Sequence, residues 1–296
     1  MDERRVGVLG ATSLVGECLL PLLTQAGWQV AAFSRREFGR ADNGVEWQRL
    51  PQTCFPSPLT PLPQGAMGIK HWICVAPIWV LPDYFDLLEA HGVCRVVVLS
   101  STSRFTKDDS SDPEEQAVAR RLAEAEEHVR AWADSKGVEW VILRPTLIYG
   151  RGLDKNISEM ARVIRRFGVF PVFGLAGGLR QPVHAEDIAG ACVGALKAAA
   201  AMNRAYNLSG GEILSYREMT ARVFSALGRK PRLLKIPLVL FRLALASVRW
   251  LPRYRHWTAA MAERMNRDLV FDHAEAAQDL GFSPRIFVLE PKDLPS

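Results

Sequence analysis

The sequence predicts an α/β protein in which a doubly wound parallel sheet carries a smaller, mostly helical C-terminal lobe. In the first half of the chain, short β-branched runs alternate with segments of helical period, a pattern typical of right-handed βαβ crossovers. After Gly150 helical segments predominate, with short strands between them. The 296 residues, 48% hydrophobic and 23% charged, allow a large buried core and exclude disordered, fibrous and multi-span membrane proteins.

The elements follow from these patterns in chain order. We expect strands at 5–9, 28–33, 71–75, 95–99 and 139–143 and helices at 14–26, 82–91 and 113–135. Five prolines make 51–63 a loop. Helices are then expected at 157–167, 185–199, 216–227, 237–251, 258–265 and 273–280, with a strand at 204–208 that returns to the sheet. The predicted domains are 1–150, with a return segment near 183–208, and a substrate lobe at 151–296.

A glycine-bearing turn joins the first predicted strand to the first predicted helix. Gly10 allows a tight turn, and Gly16 lets the helix pack close to the strand. The free N–H groups of such a helix N-terminus suit a pyrophosphate, although many α/β proteins use a glycine turn structurally. The predicted cofactor-binding residues of this turn are Gly10, Thr12, Ser13, Leu14, Val15 and Gly16.

The second predicted strand ends in Ser34, Arg35 and Arg36. An NAD enzyme usually has Asp or Glu here to bind the ribose 2′-hydroxyl, whereas a hydroxyl and two guanidiniums suit a 2′-phosphate. These residues favour NADP(H) over NAD(H). The alternative is a solvated arginine pair at a strand end.

The compartment is predicted from the cysteines and the N-terminus. Five scattered cysteines, without CxxC or a His/Cys pair at metal spacing, indicate a reducing compartment and no metal site. The N-terminus lacks the apolar region of a signal peptide, and no run reaches the ~20 apolar residues of a membrane span. We expect a cytoplasmic protein.

Five sequence blocks, in this order and spacing, carry a resemblance to a known family. They are GATSLVG at 10–16, VVVLSSTS at 96–103, WVILRPTLIYGRG at 140–152, RQPVHAEDIAGA at 180–191 and AYNLSGGEILSYREM at 205–219. The chain resembles the extended and atypical short-chain dehydrogenase/reductases, in particular the NAD(P)-dependent epimerase/dehydratase family of nucleotide-sugar enzymes. The resemblance covers nearly the whole chain. It implies a Rossmann domain, a bound NAD(P)(H) and a small substrate that reacts at a hydroxyl or carbonyl carbon.

The resemblance also implies roles for residues at the ends of the sheet strands. Ser101 matches the serine that helps to hold the reacting oxygen of the substrate, and Thr102 is its neighbour. The cofactor-binding set implied by these matches is Ala76, Pro77, Ser100, Arg144, Pro145 and Thr146. His184 and Asp187 match a segment that supports the second lobe, and for His184 the structural role is preferred because no partner lies at metal-ligand spacing.

One departure from the family pattern concerns its Tyr-x-x-x-Lys acid–base pair. In the family this pair lies on the helix after the serine strand, where the lysine lowers the tyrosine pKa. Residues 113–135 contain no tyrosine, and matching the AEAEE stretch places Val118 and Leu122 at the two positions. Val118, Leu122, Ala125, Val129 and Trp132 form one apolar stripe. A one-residue shift would offer Ala117 and Arg121, so the pair is predicted to be absent.

Three functions remain open. The first is an atypical reductase or epimerase whose proton comes from Ser101, Thr102, a carboxylate in 108–115 or the substrate. The second is a non-catalytic dinucleotide-binding subunit or redox regulator. The third is a nucleic-acid-binding module, which would need a basic patch interleaved with aromatic residues. We favour the first over the second, and both far above the third. The acidic residues of 114–127 alternate with arginines and are expected to form a solvated, salt-bridged face.

The positive charge lies in one segment. Nine Lys and Arg residues, and no Asp or Glu, lie between Met219 and Ala262, so removing those nine from the net charge of +5 leaves −4 for the remainder. No nucleic-acid partner is therefore expected. The apolar, arginine-bearing stretch 237–257 could contact an anionic membrane surface, but packing as a helix of the second lobe is preferred.

Overall fold

The computed structural model describes residues 4–35, 44–50, 68–237 and 259–295. Seven strands form the main sheet: β1 Arg5–Leu9, β2 Gln29–Ser34, β3 Val45–Arg49, β4 His71–Cys74, β5 Arg95–Leu99, β6 Glu139–Pro145 and β11 Arg204–Leu208. Six short strands form three two-stranded pairs: β7 Ile148–Tyr149 with β10 Val183–His184, β9 Leu179–Arg180 with β12 Leu214–Ser215, and β8 Phe170–Phe173 with β13 Leu233–Ile236.

Nine α-helices are described. They are α1 Leu14–Gln25, α2 Phe85–Ala90, α3 Ser103–Thr106, α4 Pro113–Lys136, α5 Ile157–Phe167, α6 Ala185–Lys197, α7 Tyr216–Ala226, α8 Ala259–Arg264 and α9 Ala274–Leu280. Three 3-10 helices cover Ile78–Tyr84, Ala199–Ala201 and Pro291–Asp293.

All neighbouring strands of the main sheet run parallel, in the order β11-β6-β5-β4-β1-β2-β3. The chain begins in the middle of the sheet, adds β2 and β3 on one side and then continues with β4 on the other side. This reversal between β1 and β4 opens a crevice at the carboxyl ends of the strands. The predicted fold class is confirmed: the sheet is a Rossmann fold.

The central strands are apolar on both sides because helices cover both faces of the sheet. On β5, Val97 and Leu99 belong to one core cluster together with residues of α1 and α6. Val96 and Val98, which point the opposite way, belong to a second cluster with residues of α4. The carboxyl edge is therefore the part of the sheet left for a ligand.

Most predicted elements coincide with observed ones, and two differ instructively. The expected helix at 82–91 is a 3-10 helix from Ile78 followed by the short α2. Pro82, which lacks an N–H and crowds the preceding turn, disfavours a continuous α-helix there. The edge strand β3 (VEWQR) was not predicted, because its residues are partly exposed and mostly polar. The predicted loop 51–63 and helix 237–251 lie outside the described residues, apart from Pro237.

A third core cluster is formed by residues after Gly150 together with Tyr149. It contains Ile157 and Ile164 of α5, Phe173 of β8 and Val223 of α7. The same part of the chain also returns β11 to the main sheet, where it pairs with β6. The division into domains 1–150 and 151–296 stays a prediction.

Candidate functional site

The β1–α1 turn is shaped by two glycines that no larger residue could replace without movement. Gly10 has a φ of +82°, and a Cβ there would lie 2.5 Å from the backbone N of Ala76. A Cβ on Gly16 would lie 2.4 Å from the carbonyl oxygen of Ala11. The turn thus lies against the end of β4 and the start of α1 lies against the turn, which leaves a cradle lined by backbone.

Ser13, at the middle position of this turn, is the N-cap of α1. Its Oγ accepts a hydrogen bond from the Gly16 N–H at 3.1 Å. The Leu14 and Val15 amides belong to the first helical turn, whose N–H groups have no intrahelical acceptor and suit an anion. The Thr12 Oγ1 lies 3.4 Å from the Ser34 Oγ, so the turn also contacts the end of β2.

A cavity of about 240 Å³ opens between the ends of β1, β2 and β4. Gly10, Thr12, Ser13, Ser34, Arg35, Ala76 and Pro77, all predicted cofactor-binding residues, line it together with Phe33, Leu50, Cys74 and Tyr84. Of the described residues that line this cavity, none is acidic. Arg36 lies outside the described residues.

Cys74, one of the residues that line the cavity, has an unreactive thiol. The thiol is fully buried and donates to the Ala76 carbonyl oxygen at 3.8 Å. Burial raises the pKa of the Cys74 thiol to about 12, so the group stays protonated. It packs as a small apolar side chain.

The ends of β5 and β6 contain a buried ionic network centred on Glu126 of α4. This carboxylate is fully buried and accepts hydrogen bonds from Ser100 Oγ at 2.6 Å and Arg144 Nη2 at 2.6 Å. Arg104 forms a further ion pair with it. Burial alone would raise the pKa of Glu126, but the hydrogen bonds from Arg144 and Ser100 and the two arginine charges hold it below its ordinary value. The carboxylate is thus a fixed anion.

The other hydroxyl groups at this edge, those of Thr102, Thr146 and Ser101, differ in whether they donate a hydrogen bond within the protein. Thr102 is buried, and its Oγ1 donates to the Pro145 carbonyl oxygen at 3.2 Å. Thr146 Oγ1 donates to the Gln181 carbonyl oxygen. Ser101 is partly exposed, and its Oγ accepts from the Ser103 N–H at 3.1 Å. Of the predicted residues here, Ser101 is therefore the hydroxyl that keeps its proton available for a ligand.

The predicted apolar stripe of α4 is confirmed. Leu122, Ala125, Val129 and Trp132 are buried in the second core cluster, and Val118 packs against it. Arg121 is exposed, and its guanidinium lies 4.6 Å from the centre of the Trp79 ring. The face of α4 that packs on the sheet is hydrocarbon at both positions matched to the family's tyrosine and lysine.

A line of contacts joins the β5–α4 segment to residues 263–271. Asp109 forms an ion pair with Arg267 at 2.6 Å, Glu115 forms one with Arg264, and Ser111 Oγ donates to Glu263 at 2.9 Å. The Phe105 and Phe271 ring centres lie 6.2 Å apart beside them. These contacts hold residues 263–271 against the segment that follows β5.

His184 has a structural environment, as the sequence interpretation expects. The ring is 1% exposed; its Nδ1 accepts from the Glu186 N–H at 3.2 Å and its Nε2 lies 3.1 Å from an Asp293 oxygen. Asp187 accepts from Arg285 at 2.8 Å. Both residues therefore fasten the C-terminal segment to the start of α6.

The expectation of a solvated acidic face on α4 is wrong for two residues. Glu115 is 9% exposed and pairs with Arg264, and Glu126 is fully buried against Arg104 and Arg144. Sequence reasoning missed Glu126 as a site residue. A signal existed: Glu126 lies four residues after Leu122, on the same helical face as the apolar stripe.

Known proteins resemble the chain in sequence and in fold. Residues 83–209 match the model of the NAD dependent epimerase/dehydratase family. This match spans 127 of the 296 residues, less than half of the chain. The motif-based resemblance to extended short-chain dehydrogenase/reductases is thereby confirmed, whereas the absence of the Tyr-x-x-x-Lys pair stays a prediction.

Two curated relatives match part of the chain. A UDP-glucose 4-epimerase of Vibrio cholerae is 26% identical over 51% of this chain and 49% of its own length. A (4-alkanoyl-5-oxo-2,5-dihydrofuran-3-yl)methyl phosphate reductase of Streptomyces griseus is 34% identical over 48% of this chain and 45% of its own length. The chain therefore aligns with about half the length of each of these relatives.

The solved structures resemble the chain over nearly its full length. The UDP-glucose 4-epimerase of Thermus thermophilus, solved in complex with NAD, has a TM-score of 0.66 and 20% identity and covers 98% of this chain and 96% of its own. This likeness shows the fold.

Among the described residues, no helix has the length and apolar character to cross a membrane.

Proposed function

We propose that the chain binds NAD(P)(H) and acts as an oxidoreductase or epimerase of the NAD-dependent epimerase/dehydratase type. The family match over 83–209 and the backbone cradle at Gly10 and Gly16 support this proposal. Two curated relatives are named for reactions of a nucleotide sugar and of a small phosphorylated compound. The proposed substrate is accordingly a small, nucleotide-sugar-like compound that reacts at a hydroxyl or carbonyl carbon.

The cofactor would be held along the carboxyl edge from β2 to β6. The first turn of α1 would hold the pyrophosphate, and Ala76 and Pro77 would lie against the dinucleotide beyond it. Ser34 and Arg35, in a cavity whose described lining has no carboxylate, support NADP(H) over NAD(H). When bound, the nicotinamide supplies the group that accepts or donates a hydride.

Ser101 is the proposed substrate-binding hydroxyl. Its Oγ already accepts from the Ser103 N–H, so its proton is free to donate to the reacting oxygen of a substrate. Ser100 and Thr102 donate to Glu126 and Pro145 and are positioned as supports of the strand ends. Arg144, fixed by Glu126, keeps its orientation beside Ser100.

A second candidate function is a non-catalytic dinucleotide-binding subunit or redox regulator. One observation favours it: Leu122 is 4% exposed and Val118 packs against the same core, so neither matched position offers a proton donor. In this alternative the dinucleotide would stabilise the fold or report the redox state. A cytoplasmic location is proposed for either function.

Titration of the purified full chain with NADPH and NADH, followed by turnover assays on UDP-sugars and small carbonyl compounds, tests the proposal. We expect dinucleotide binding and turnover, and a loss of kcat of about a hundredfold or more in Ser101→Ala with an unchanged Kd for NADPH. Ser103→Ala, which keeps the backbone N–H, is the matched control. Binding without turnover on any substrate would favour the non-catalytic function, and failure to bind either dinucleotide would overturn both.

A further inference from the structure

A group of exposed cationic side chains lies on elements that meet in the C-terminal half of the chain, and none of them lines the cavity at the β1–α1 turn. They come from the end of α5, the segment between α7 and β13, and β13 itself. We name this the basic face: Arg165, Arg166, Arg229, Lys230, Arg232 and Lys235. All six are exposed.

Backbone and side-chain contacts bring these elements together. The Phe170 N–H donates to the Arg232 carbonyl oxygen at 3.0 Å, and β13 pairs with β8, the strand that directly follows α5. The Arg229 Nη1 donates to the Ile164 carbonyl oxygen at 2.8 Å. The three elements that carry these cations are therefore neighbours in the fold.

The charge of this face is little compensated. Within the described part of the chain, no carboxylate forms an ion pair with any of its six side chains; the neighbouring Arg162 pairs with Glu159 at 3.0 Å. The sequence has no acidic residue between Met219 and Ala262. Such a surface attracts an extended array of negative charges.

Large apolar side chains are exposed among these cations. Phe167 is 62% exposed and Leu234 is 55% exposed, and Leu175, just after β8, is 80% exposed. Leu234 lies between Arg232 and Lys235 in the chain. The Arg166 guanidinium lies 5.2 Å from the centre of the Phe167 ring.

Two arginines of the basic face are held at a shallow cleft of about 530 Å³. Arg165 and Arg229 line this cleft together with Leu227 and Leu294. Arg165 donates to the Pro295 carbonyl oxygen and Arg229 to that of Ile164, which fixes the two guanidiniums. Their other N–H groups can bind a phosphate.

We propose that the basic face docks on an anionic lipid bilayer. Lipid headgroup phosphates would neutralise the cations, and Phe167 and Leu234 would enter the boundary between headgroups and acyl chains. A nucleic-acid backbone would satisfy the charges equally well, but exposed leucines gain nothing from phosphates. The mixture of leucine, phenylalanine and cations therefore favours a bilayer.

Co-sedimentation of the full chain with vesicles of phosphatidylcholine, with and without phosphatidylglycerol, tests this proposal. We expect salt-sensitive binding to the phosphatidylglycerol vesicles. Arg166→Gln/Lys230→Gln should lower the partition coefficient about thirtyfold, because each cation near an anionic surface contributes about fivefold. Phe167→Ser/Leu234→Ser should lower it as well.

The matched control removes two exposed cations elsewhere, Arg120 of α4 and Lys197 of α6. Arg120→Gln/Lys197→Gln should bind vesicles like the unaltered chain, and thermal unfolding should show that all variants are folded. Three outcomes would overturn the proposal: no preference for phosphatidylglycerol, equal losses in the control, or binding to a DNA oligonucleotide that is stronger than binding to vesicles and insensitive to Phe167→Ser/Leu234→Ser.

Discussion

At the β1–β2 end of the sheet edge, the described lining of the cavity is mostly uncharged, whereas at the β5–β6 end charged side chains already bind one another. Gly10, Thr12 and Ser13 leave space in front of β1. Ser100 and Arg144 instead bind the buried Glu126. The first end leaves a cavity open, and the second is held by its own ion pairs.

This contrast explains why the two ends should respond differently to substitution. Filling space at the β1–β2 end should mainly change ligand binding and local strain. Removing one partner at the β5–β6 end leaves a buried charge uncompensated, which costs far more than an exposed pair contributes.

Glu126→Gln should have the largest effect on stability. Arg104 and Arg144 would lose the anion that they share, and the free energy of unfolding at neutral pH should fall by about 3–5 kcal/mol. Urea-induced unfolding measures this change. The control is Glu127→Gln, next in the chain and 73% exposed, which should cost no more than about 0.5 kcal/mol. Equal effects would show that the network contributes little.

The unaltered chain and the Glu126→Gln variant should differ in how their stability responds to acid. Because the pKa of Glu126 is lower in the folded chain, its contribution is present above the unfolded pKa of about 4.3 and is lost as the pH falls through the folded value. The gap in unfolding free energy between the unaltered chain and Glu126→Gln should therefore narrow in acid. The pKa of Asp293 is also lowered, but Asp293 titrates in both proteins, so its contribution cancels in the difference between them. A gap independent of pH would contradict this.

Gly10→Ala should be the next most damaging, because it adds a Cβ at positive φ within 2.5 Å of Ala76. We expect a loss of about 3 kcal/mol in unfolding free energy, from backbone strain and overpacking together, with weakened NADPH binding. Gly27→Ala is the matched control, since its φ is +79° but a Cβ there meets no atom within 4 Å. It should lose only about 1 kcal/mol and bind NADPH normally.

Arg35→Ala should have the smallest effect, restricted to one ligand. If this guanidinium binds a 2′-phosphate, the Kd for NADPH should rise about tenfold or more and the Kd for NADH should change little. Fluorescence titration measures both constants. Arg4→Ala, at the amino end of β1, should change neither constant. Equal losses for both dinucleotides would refute the preference for NADP(H).

The parallel sheet, the glycine turn after β1 and the apolar stripe of α4 could all be predicted from the sequence alone. Each depends on local periodicity or on a glycine at a fixed offset. The strand at 5–9 and the helix at 157–167 have the predicted bounds because their patterns are strong and uninterrupted. The short edge strand β3 lacks such a pattern.

Which charges are buried depends on contacts that form only when the chain folds. Glu126 and Glu127 are neighbours with the same side chain, yet one is fully buried against arginines and the other faces solvent. Arg104 and Arg144 come from separate elements that meet only after folding, so no local pattern could place them. Burial of a carboxylate depends on partners distant in sequence, whereas a turn or an apolar stripe depends on near neighbours in the chain.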